Sequence, residues 1–262
     1  MAYLYETHMH TCRGSACGVS TGVEHVHYYK ELGYTGIIIT EHFYGGNTCI
    51  DRSLPWEQFV DGIWSGYEEA KEEGDKIGLD VFFGYEQNYE YDEYLIYGLS
   101  KEYMKSRPDL PFWTRKQQLE EVHAAGGCVV QAHPFRIRGY MDKIRISPLY
   151  CDGVEVANAA NDSIDDARCM RYAMEHGFAV TAGSDNHRSP KTPTFGVALD
   201  RKLTDINEFV QMILSREKMG LHVTEGRFDD PADFAMDERH IAYRIDENEK
   251  TVLSEKQWLI EL

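Results

Sequence analysis

Histidine and carboxylate side chains recur in this sequence at the ends of short apolar runs. The segments that contain them read ETHMHT, IIITEH, GYE, QAHP and AGSDNH. Their candidate metal ligands are His8, His10, His42, Glu86, His133, Asp185 and His187. Mixed imidazole and carboxylate ligands suit zinc, manganese or iron better than magnesium or calcium, which prefer oxygen alone. The sequence therefore predicts a site for divalent metal ions built from these seven residues.

The spacing of two pairs supports this prediction. His8 and His10 are two residues apart, and so are Asp185 and His187. Side chains at positions i and i+2 of an extended segment project to the same side. Each pair can therefore present both of its groups to one ion.

His25 and His27 have the same spacing but a different predicted setting. They lie in a helix that Thr21 opens with a capping box. Residues two apart in a helix point about 200° away from each other, so this pair cannot chelate one ion. We interpret both as exposed helical histidines.

Apolar runs that alternate with helical patterns predict the elements that would position these ligands. The strand-like runs are 2–5, 36–40, 79–84, 94–99, 128–132, 153–156, 178–182 and 196–199. The predicted helices are 21–33, 55–74, 114–126, 164–177 and 205–215. In a parallel α/β barrel the carboxyl ends of all strands meet at one face, where barrel active sites form. The ligands follow strand ends, so they are expected to meet at a barrel mouth.

The domain prediction is a barrel over residues 1–225 and a C-terminal tail over residues 226–262. Within the tail, runs 241–245 and 251–253 flank a polar DENE segment and could form a hairpin packed on the barrel. No chemistry is assigned to the tail.

Composition narrows the classes of partner and compartment. A formal net charge of −17 over 262 residues repels a phosphate backbone and disfavours binding of long nucleic acid. Six irregularly spaced cysteines without a CxxC pair favour reduced thiols and a cytoplasmic protein. The sequence contains neither an apolar run of about 18 residues nor a signal-peptide pattern, so no membrane partner is expected. It gives no indication of oligomeric state.

The five motifs, in their order over about residues 3 to 200, resemble those of the polymerase and histidinol phosphatase (PHP) family of metal-dependent phosphoesterases. The resemblance implies a distorted (β/α)7 barrel with two or three divalent metals, which could be zinc, manganese or iron. It implies that the first metal is held by His8, His10, Glu86 and Asp185. It further implies that Glu86 and His133 hold the second metal, and that His42 and His187 hold the third.

Two departures from the family pattern concern the second and third metals. The family usually has an Asp or His five or six residues after the second His, where this chain has Ser15 and Ala16, followed by Cys17. The third site is therefore weakened unless Cys17 or the loop backbone compensates. The family often has another His between the bridging Glu and the HP motif, where the segment YDEYLIYG offers only Tyr94 and Tyr97. The second metal would then rely on water or substrate oxygens.

Two residues outside the ligand set have open roles. Arg136 follows His133 in HPFR and could bind a substrate phosphate through two hydrogen bonds, or it could pair with a nearby carboxylate. Glu155 ends the strand-like run DGVEV and could orient a ligand histidine or pair with a basic group.

The function that these features imply is hydrolysis of a small phosphate monoester or phosphodiester by a metal-bound hydroxide. In this hypothesis His187, or a metal-bound water, protonates the leaving oxygen. Three alternatives remain open: an oligonucleotide phosphodiesterase, which the acidic charge disfavours; a non-catalytic metal-binding module, which the thin second and third ligand sets favour; and amide or lactone hydrolysis.

Overall fold

A nine-stranded sheet curls into a nearly closed barrel at the centre of the molecule. The computed structural model describes residues 2–229 and 235–258. The strands are β1 (Tyr3–Glu6), β2 (Gly36–His42), β3 (Asp80–Tyr89), β4 (Asp92–Tyr97), β5 (Cys128–Ala132), β6 (Ile144–Ile146), β7 (Gly153–Asn158), β8 (Ala179–Gly183), β9 (Gly196–Leu199), β10 (Gly220–His222), β11 (Ala242–Ile245) and β12 (Thr251–Leu253). The strand order in the barrel sheet is β10-β9-β1-β2-β3-β4-β5-β7-β8. The predicted α/β barrel is confirmed.

Helices connect the strands and cover the sheet. They are α1 (Gly22–Glu31), α2 (Trp56–Ile77), α3 (Lys101–Lys105), α4 (Arg115–Ala124), α5 (Ser163–His176) and α6 (Ile206–Leu214). The predicted capping box of Thr21 with Glu24 is present before α1, and Thr114 forms another with Gln117 before α4. No helix of the described residues is long and apolar enough to cross a membrane.

Two strands depart from a wholly parallel layout. β4 runs antiparallel to both β3 and β5, and β9 runs antiparallel to β1. β3 and β4 are joined by Glu90 and Tyr91, whose φ angles of 46° and 75° are those of a tight hairpin turn. A two-residue connection can join only antiparallel neighbours, because a parallel crossover needs a dozen residues or more. The first residues of β4 therefore lie at the end of the barrel where β3 finishes.

The C-terminal segment forms a second, smaller sheet. β11 and β12 pair as an antiparallel hairpin, and β11 also pairs in parallel with β6. Trp258 packs edge-on against Phe135 and Tyr172, which links the segment to the barrel core. The division of the chain at residue 225 stays a prediction.

Candidate metal centre

All seven predicted ligands lie together at one mouth of the barrel. An isolated parallel bridge joins Met9 to Asn186, and the amide of His10 donates to the carbonyl of Asn186 at 2.9 Å. This bridge places the segment after β1 beside the segment after β8. Among the remaining ligands, His42 ends β2 and His133 follows β5, while Glu86 lies within β3 directly beside His42. The direction of the strands therefore explains the convergence.

His8, His10 and Asp185 form the first ligand group. The two Nε2 atoms lie 3.1 Å apart, and His10 Nε2 lies 3.2 Å from Asp185 Oδ1. All three side chains are buried. One ligand atom from each lies within 4.8 Å of the others, a spacing suited to a single ion.

Glu86 lies between this group and the other ligands. Its Oε1 is 3.4 Å from His8 Nε2 and 3.3 Å from His133 Nε2. Its Oε2 is 2.7 Å from His42 Nδ1 and 3.5 Å from His10 Nε2. A carboxylate with a different histidine pair at each oxygen is in position to bridge two ions.

Glu93 belongs to the same cluster but is not among the seven predicted residues. Its Oε2 lies 3.7 Å from His133 Nε2, and it forms a potential ligand group with His42 and Glu86. Because β4 is antiparallel, Glu93 is placed beside the end of β3, opposite Asn88. A carboxylate here occupies the region where the family resemblance suggested a missing histidine. The short Glu90-Tyr91 turn is the sequence signal that could have located it.

His10, His42 and His187 form a third group. The ring centroids of His42 and His187 lie 4.1 and 4.4 Å from that of His10. Cys17 lines the same cavity as His42 and His187. Burial would raise the pKa of the Cys17 thiol, but hydrogen bonding to His187 and His42 outweighs burial and lowers the pKa to about 6.

Ser15 supports ligands and is not placed as one. Its hydroxyl lies 3.2 Å from His10 Nδ1 and donates to Glu41 Oε2 at 2.6 Å. It also accepts a hydrogen bond from the amide of His42 at 3.0 Å. Ser15 thus contacts the ring of His10 and the backbone of His42.

Glu155 lies directly behind His8. Its Oε1 is 3.0 Å from His8 Nδ1, and Asn158 Nδ2 donates to its Oε2 at 3.0 Å. A Cβ on Gly183 would lie 2.5 Å from His8 Cβ and 2.6 Å from Glu155 Oε1, so only glycine leaves room for this pair. With the Nδ1 proton donated to Glu155, His8 presents the lone pair of Nε2 to the centre. Of the two roles open for Glu155, the structure shows the contact with a histidine.

Replacing Glu155 by Gln is expected to weaken metal binding about 10- to 100-fold, because the carboxylate fixes the His8 tautomer and makes the ring more basic. Competition with a chromophoric chelator measures this affinity. Asp152→Asn is the matched control, since Asp152 precedes the same strand and contacts His123. An unchanged metal affinity in Glu155→Gln would show that Glu155 does not support the metal centre.

The position of His25 contradicts the prediction that both helical histidines are exposed. The expected exposure is right for His27, whose side chain is 54% exposed and pairs with Glu73. It is wrong for His25, which is fully buried, with Nε2 3.0 Å from the carbonyl of His10 and Nδ1 2.7 Å from Ser189 Oγ. Residues two apart occupy opposite helix faces, so only one of the pair faces solvent.

The charges of the cluster favour anionic carboxylates and a neutral His10. Burial opposes ionisation of Glu86, but His8 and His42 hold its pKa well below the usual range. Arg136 and His8 do the same for the pKa of Asp185. Burial and two neighbouring imidazoles lower the pKa of His10. Burial opposes protonation of His8 and His42, but the neighbouring carboxylates raise the pKa of both rings, so a metal ion has to displace their protons on binding.

The backbone is strained at two of the ligands. His133 has a φ of 31° and Asp185 a φ of 51°, a region that residues other than glycine rarely adopt. Such strain persists only where surrounding contacts impose it, and it clusters at functional sites.

The cluster also contains buried polar atoms that lack a hydrogen bond. His42 Nδ1 and Glu86 Oε2 are 2.7 Å apart, yet neither has a hydrogen-bond partner of acceptable geometry among the described residues. Unsatisfied buried polar atoms are costly unless an unseen group satisfies them. Two buried polar atoms at this separation without a hydrogen bond of acceptable geometry fit two ligands of a cation, so these residues fit a divalent metal.

A cavity of about 640 Å³ opens beside the cluster. Arg136, Arg138 and Lys191 contribute positive charge to its lining, and Tyr91 and Tyr140 lie at its edge. Arg136 is buried: Nη1 lies 2.7 Å from Asp185 Oδ2 and Nε donates to Asn161 Oδ1 at 2.7 Å. Its Nη2 has no hydrogen-bond partner among the described residues. Of the two roles open for Arg136, pairing with a carboxylate is therefore present in the structure.

No protein-family model and no curated protein matches this sequence. Solved structures do match the fold. A proposed metal-dependent phosphoesterase from Bifidobacterium adolescentis has a TM-score of 0.54 at 20% identity, covering 81% of this chain and 96% of that one. A two-domain protein from Bacteroides vulgatus, containing a predicted PHP-like metal-dependent phosphoesterase, has a TM-score of 0.64 at 16% identity, covering 85% and 65%.

A third structure, an amidohydrolase from Chromobacterium violaceum with bound sulfate and no metal, has a TM-score of 0.50 at 13% identity, covering 81% of this chain and 96% of that one. At these identities the likeness concerns the fold. The fold of this chain is thus that of structures described as metal-dependent phosphoesterases, PHP-like in one case, in agreement with the resemblance of its five motifs to the PHP family.

Proposed function

We propose that this protein is a metal-dependent hydrolase that acts on a small phosphate monoester or phosphodiester. The observation that carries the proposal is the position of Glu86, a buried carboxylate with histidines at both oxygens beside an open cavity. Divalent metals bound there would supply a nucleophile from water at neutral pH and offset charge on phosphoryl oxygens.

We assign the ligands to three positions. The first comprises His8, His10 and Asp185 together with Glu86, which contacts both histidines. The second comprises Glu86 and His133 together with Glu93, whose Oε2 lies 3.7 Å from His133 Nε2. His42 and His187 belong to the third. Zinc, manganese or iron suits this mixture of imidazole and carboxylate. Glu93 gives the second position the ligand that the motifs lack, which weakens the argument for a non-catalytic module.

His187 is the proposed proton donor to the leaving oxygen when it does not hold a metal. Its side chain is 27% exposed, more than that of any of the other six ligands, so substrate can approach it. Its Nδ1 lies 2.9 Å from the carbonyl of Asp185, which leaves Nε2 for the donated proton. The same nitrogen cannot bind a metal and donate a proton, so His187 acts as acid only in a two-metal centre.

The proposal is tested with chelator-stripped protein reloaded with manganese or zinc. Substrates are p-nitrophenyl phosphate, bis-p-nitrophenyl phosphate, a p-nitroanilide and a lactone, with His10→Ala as the inactive control. We expect turnover of one or both phosphate esters. Bound metal without phosphate turnover would favour a non-catalytic module, and turnover of only the anilide or lactone would establish amide or lactone hydrolysis.

Arg136, which lines the cavity, is proposed to bind a phosphate oxygen of the substrate while pairing with Asp185. Arg136→Lys keeps the charge but loses the fork of donors, so the KM for p-nitrophenyl phosphate should rise roughly 10- to 100-fold. Arg13→Lys is the control, because Arg13 is half exposed and pairs with Glu69. An unchanged KM in Arg136→Lys would limit Arg136 to supporting Asp185.

A further inference from the structure

The loop between His10 and α1 is held tightly against the two segments that supply the third ligand group. The amide of Ala16 donates to the carbonyl of Asn47 at 2.8 Å, and that of Val19 donates to the carbonyl of His187 at 2.7 Å. A Cβ on Gly18 would lie 2.2 Å from the carbonyl oxygen of Thr11, so the close turn here requires glycine. The backbone on both sides of Cys17 is therefore fixed.

The position of the Cys17 thiol follows from this anchoring. Cys17 lines the cavity with His42 and His187, so its side chain and the two rings face the same space. Cys12, Cys49, Cys128, Cys151 and Cys169 are the other free cysteines, and none of these five lines the cavity.

The number of lone pairs on the histidines leaves the third position short of ligands. His10 Nε2 lies beside His8 and Asp185 in the first group, and its Nδ1 faces Ser15 Oγ. An imidazole nitrogen has one lone pair, so His10 cannot also serve a third ion through Nε2. His42 and His187 then remain, and two imidazoles are too few for a stable site.

We propose that Cys17 is the thiolate ligand that completes the third metal position with His42 and His187. Ser15 is engaged with His10 and Glu41, and Ala16 has no ligand atom, which leaves Cys17 as the loop side chain that can serve. On binding, the thiol releases its proton to solvent and sulfur donates an electron pair to the cation, with no redox change. A thiolate selects zinc or iron(II) over manganese and magnesium at this position. The inference rests on the metal centre of the proposed function, and it makes His187 a ligand when the third position is filled.

The test is cobalt substitution of the full chain, read by absorption spectroscopy and elemental analysis. Wild-type protein should show a near-ultraviolet charge-transfer band from thiolate to cobalt(II). Cys17→Ser should lose the band and bind one cobalt ion fewer per chain. Cys17→Asp should lose the band but keep the ion, because a carboxylate replaces the ligand and shows that the fold is intact. Cys12→Ser, which changes a half-buried thiol in the same loop, should keep both.

Two results would overturn this inference. One is a wild-type cobalt protein that hydrolyses phosphate esters without a charge-transfer band, which would leave the proposed function intact. The other is a band that persists in Cys17→Ser. Failure to retain any cobalt, together with no turnover, would overturn the proposed function as well.

Discussion

Replacing Glu86 by Gln is expected to lower the turnover of p-nitrophenyl phosphate by about three powers of ten. Glu86 lies between two ligand groups and balances the charge of His8 and His42. The glutamine side chain is neutral and keeps only one of the two carboxylate oxygens of Glu86. Neither of the first two metal positions therefore keeps its full ligand set. Metal stabilisation of a phosphoryl transition state is worth several kcal/mol, and each 1.36 kcal/mol corresponds to about tenfold in rate.

The comparison is made at saturating metal, with metal content measured on the same samples. Glu90→Gln is the matched control, since Glu90 is an exposed residue of the turn that follows β3. A Glu86→Gln protein with turnover within tenfold of wild type would contradict the bridging role of Glu86.

Removing the metals is expected to lower the melting temperature substantially. The apo centre buries Glu86 and Asp185 beside His8 and His10, and the metals bind this arrangement only in the folded chain. At free metal about 1,000 times above Kd, one site contributes about 4 kcal/mol of stability. For a domain of this size that corresponds to roughly 8 to 16 °C.

Differential scanning calorimetry with and without chelator measures the shift, and dialysis against zinc should reverse it. His10→Ala should show a smaller shift because its first position lacks a ligand. A chelator effect below about 2 °C in wild-type protein would show that folding and metal binding are not coupled in this way.

The sequence predicts the parts of this centre that depend on local pattern. Short apolar runs followed by His place ligands at or just after strand ends, and the i, i+2 spacing of His8 and His10 correctly puts both side chains on one side. Thr21 and Thr114 mark the starts of α1 and α4, because each forms a capping box with a residue only three positions later in the sequence. Glu155 lies within β7 beside His8, which agrees with one of the two roles that the sequence left open for it.

Features that depend on chain direction and on distant loops are not predicted. Placing Glu93 in the cluster requires knowing that β4 runs antiparallel to β3. The Glu90-Tyr91 turn sets this direction through its positive φ angles. The burial of His25 depends on which face of α1 meets the barrel mouth. The position of Cys17 depends on hydrogen bonds to Asn47 and His187, residues about 30 and 170 positions away. These long-range contacts leave no periodic signal in the sequence.

The central claim is that hydrolysis requires metals bound by the cluster at the barrel mouth. The most direct measurement is turnover of p-nitrophenyl phosphate by stripped protein as zinc or manganese is added back, with bound metal counted at each step. We expect no turnover in the stripped protein, and activity that rises to a plateau when two or three ions are bound per chain. Turnover that is unaffected by stripping, or no turnover of any phosphate ester with the ions bound, would contradict the claim.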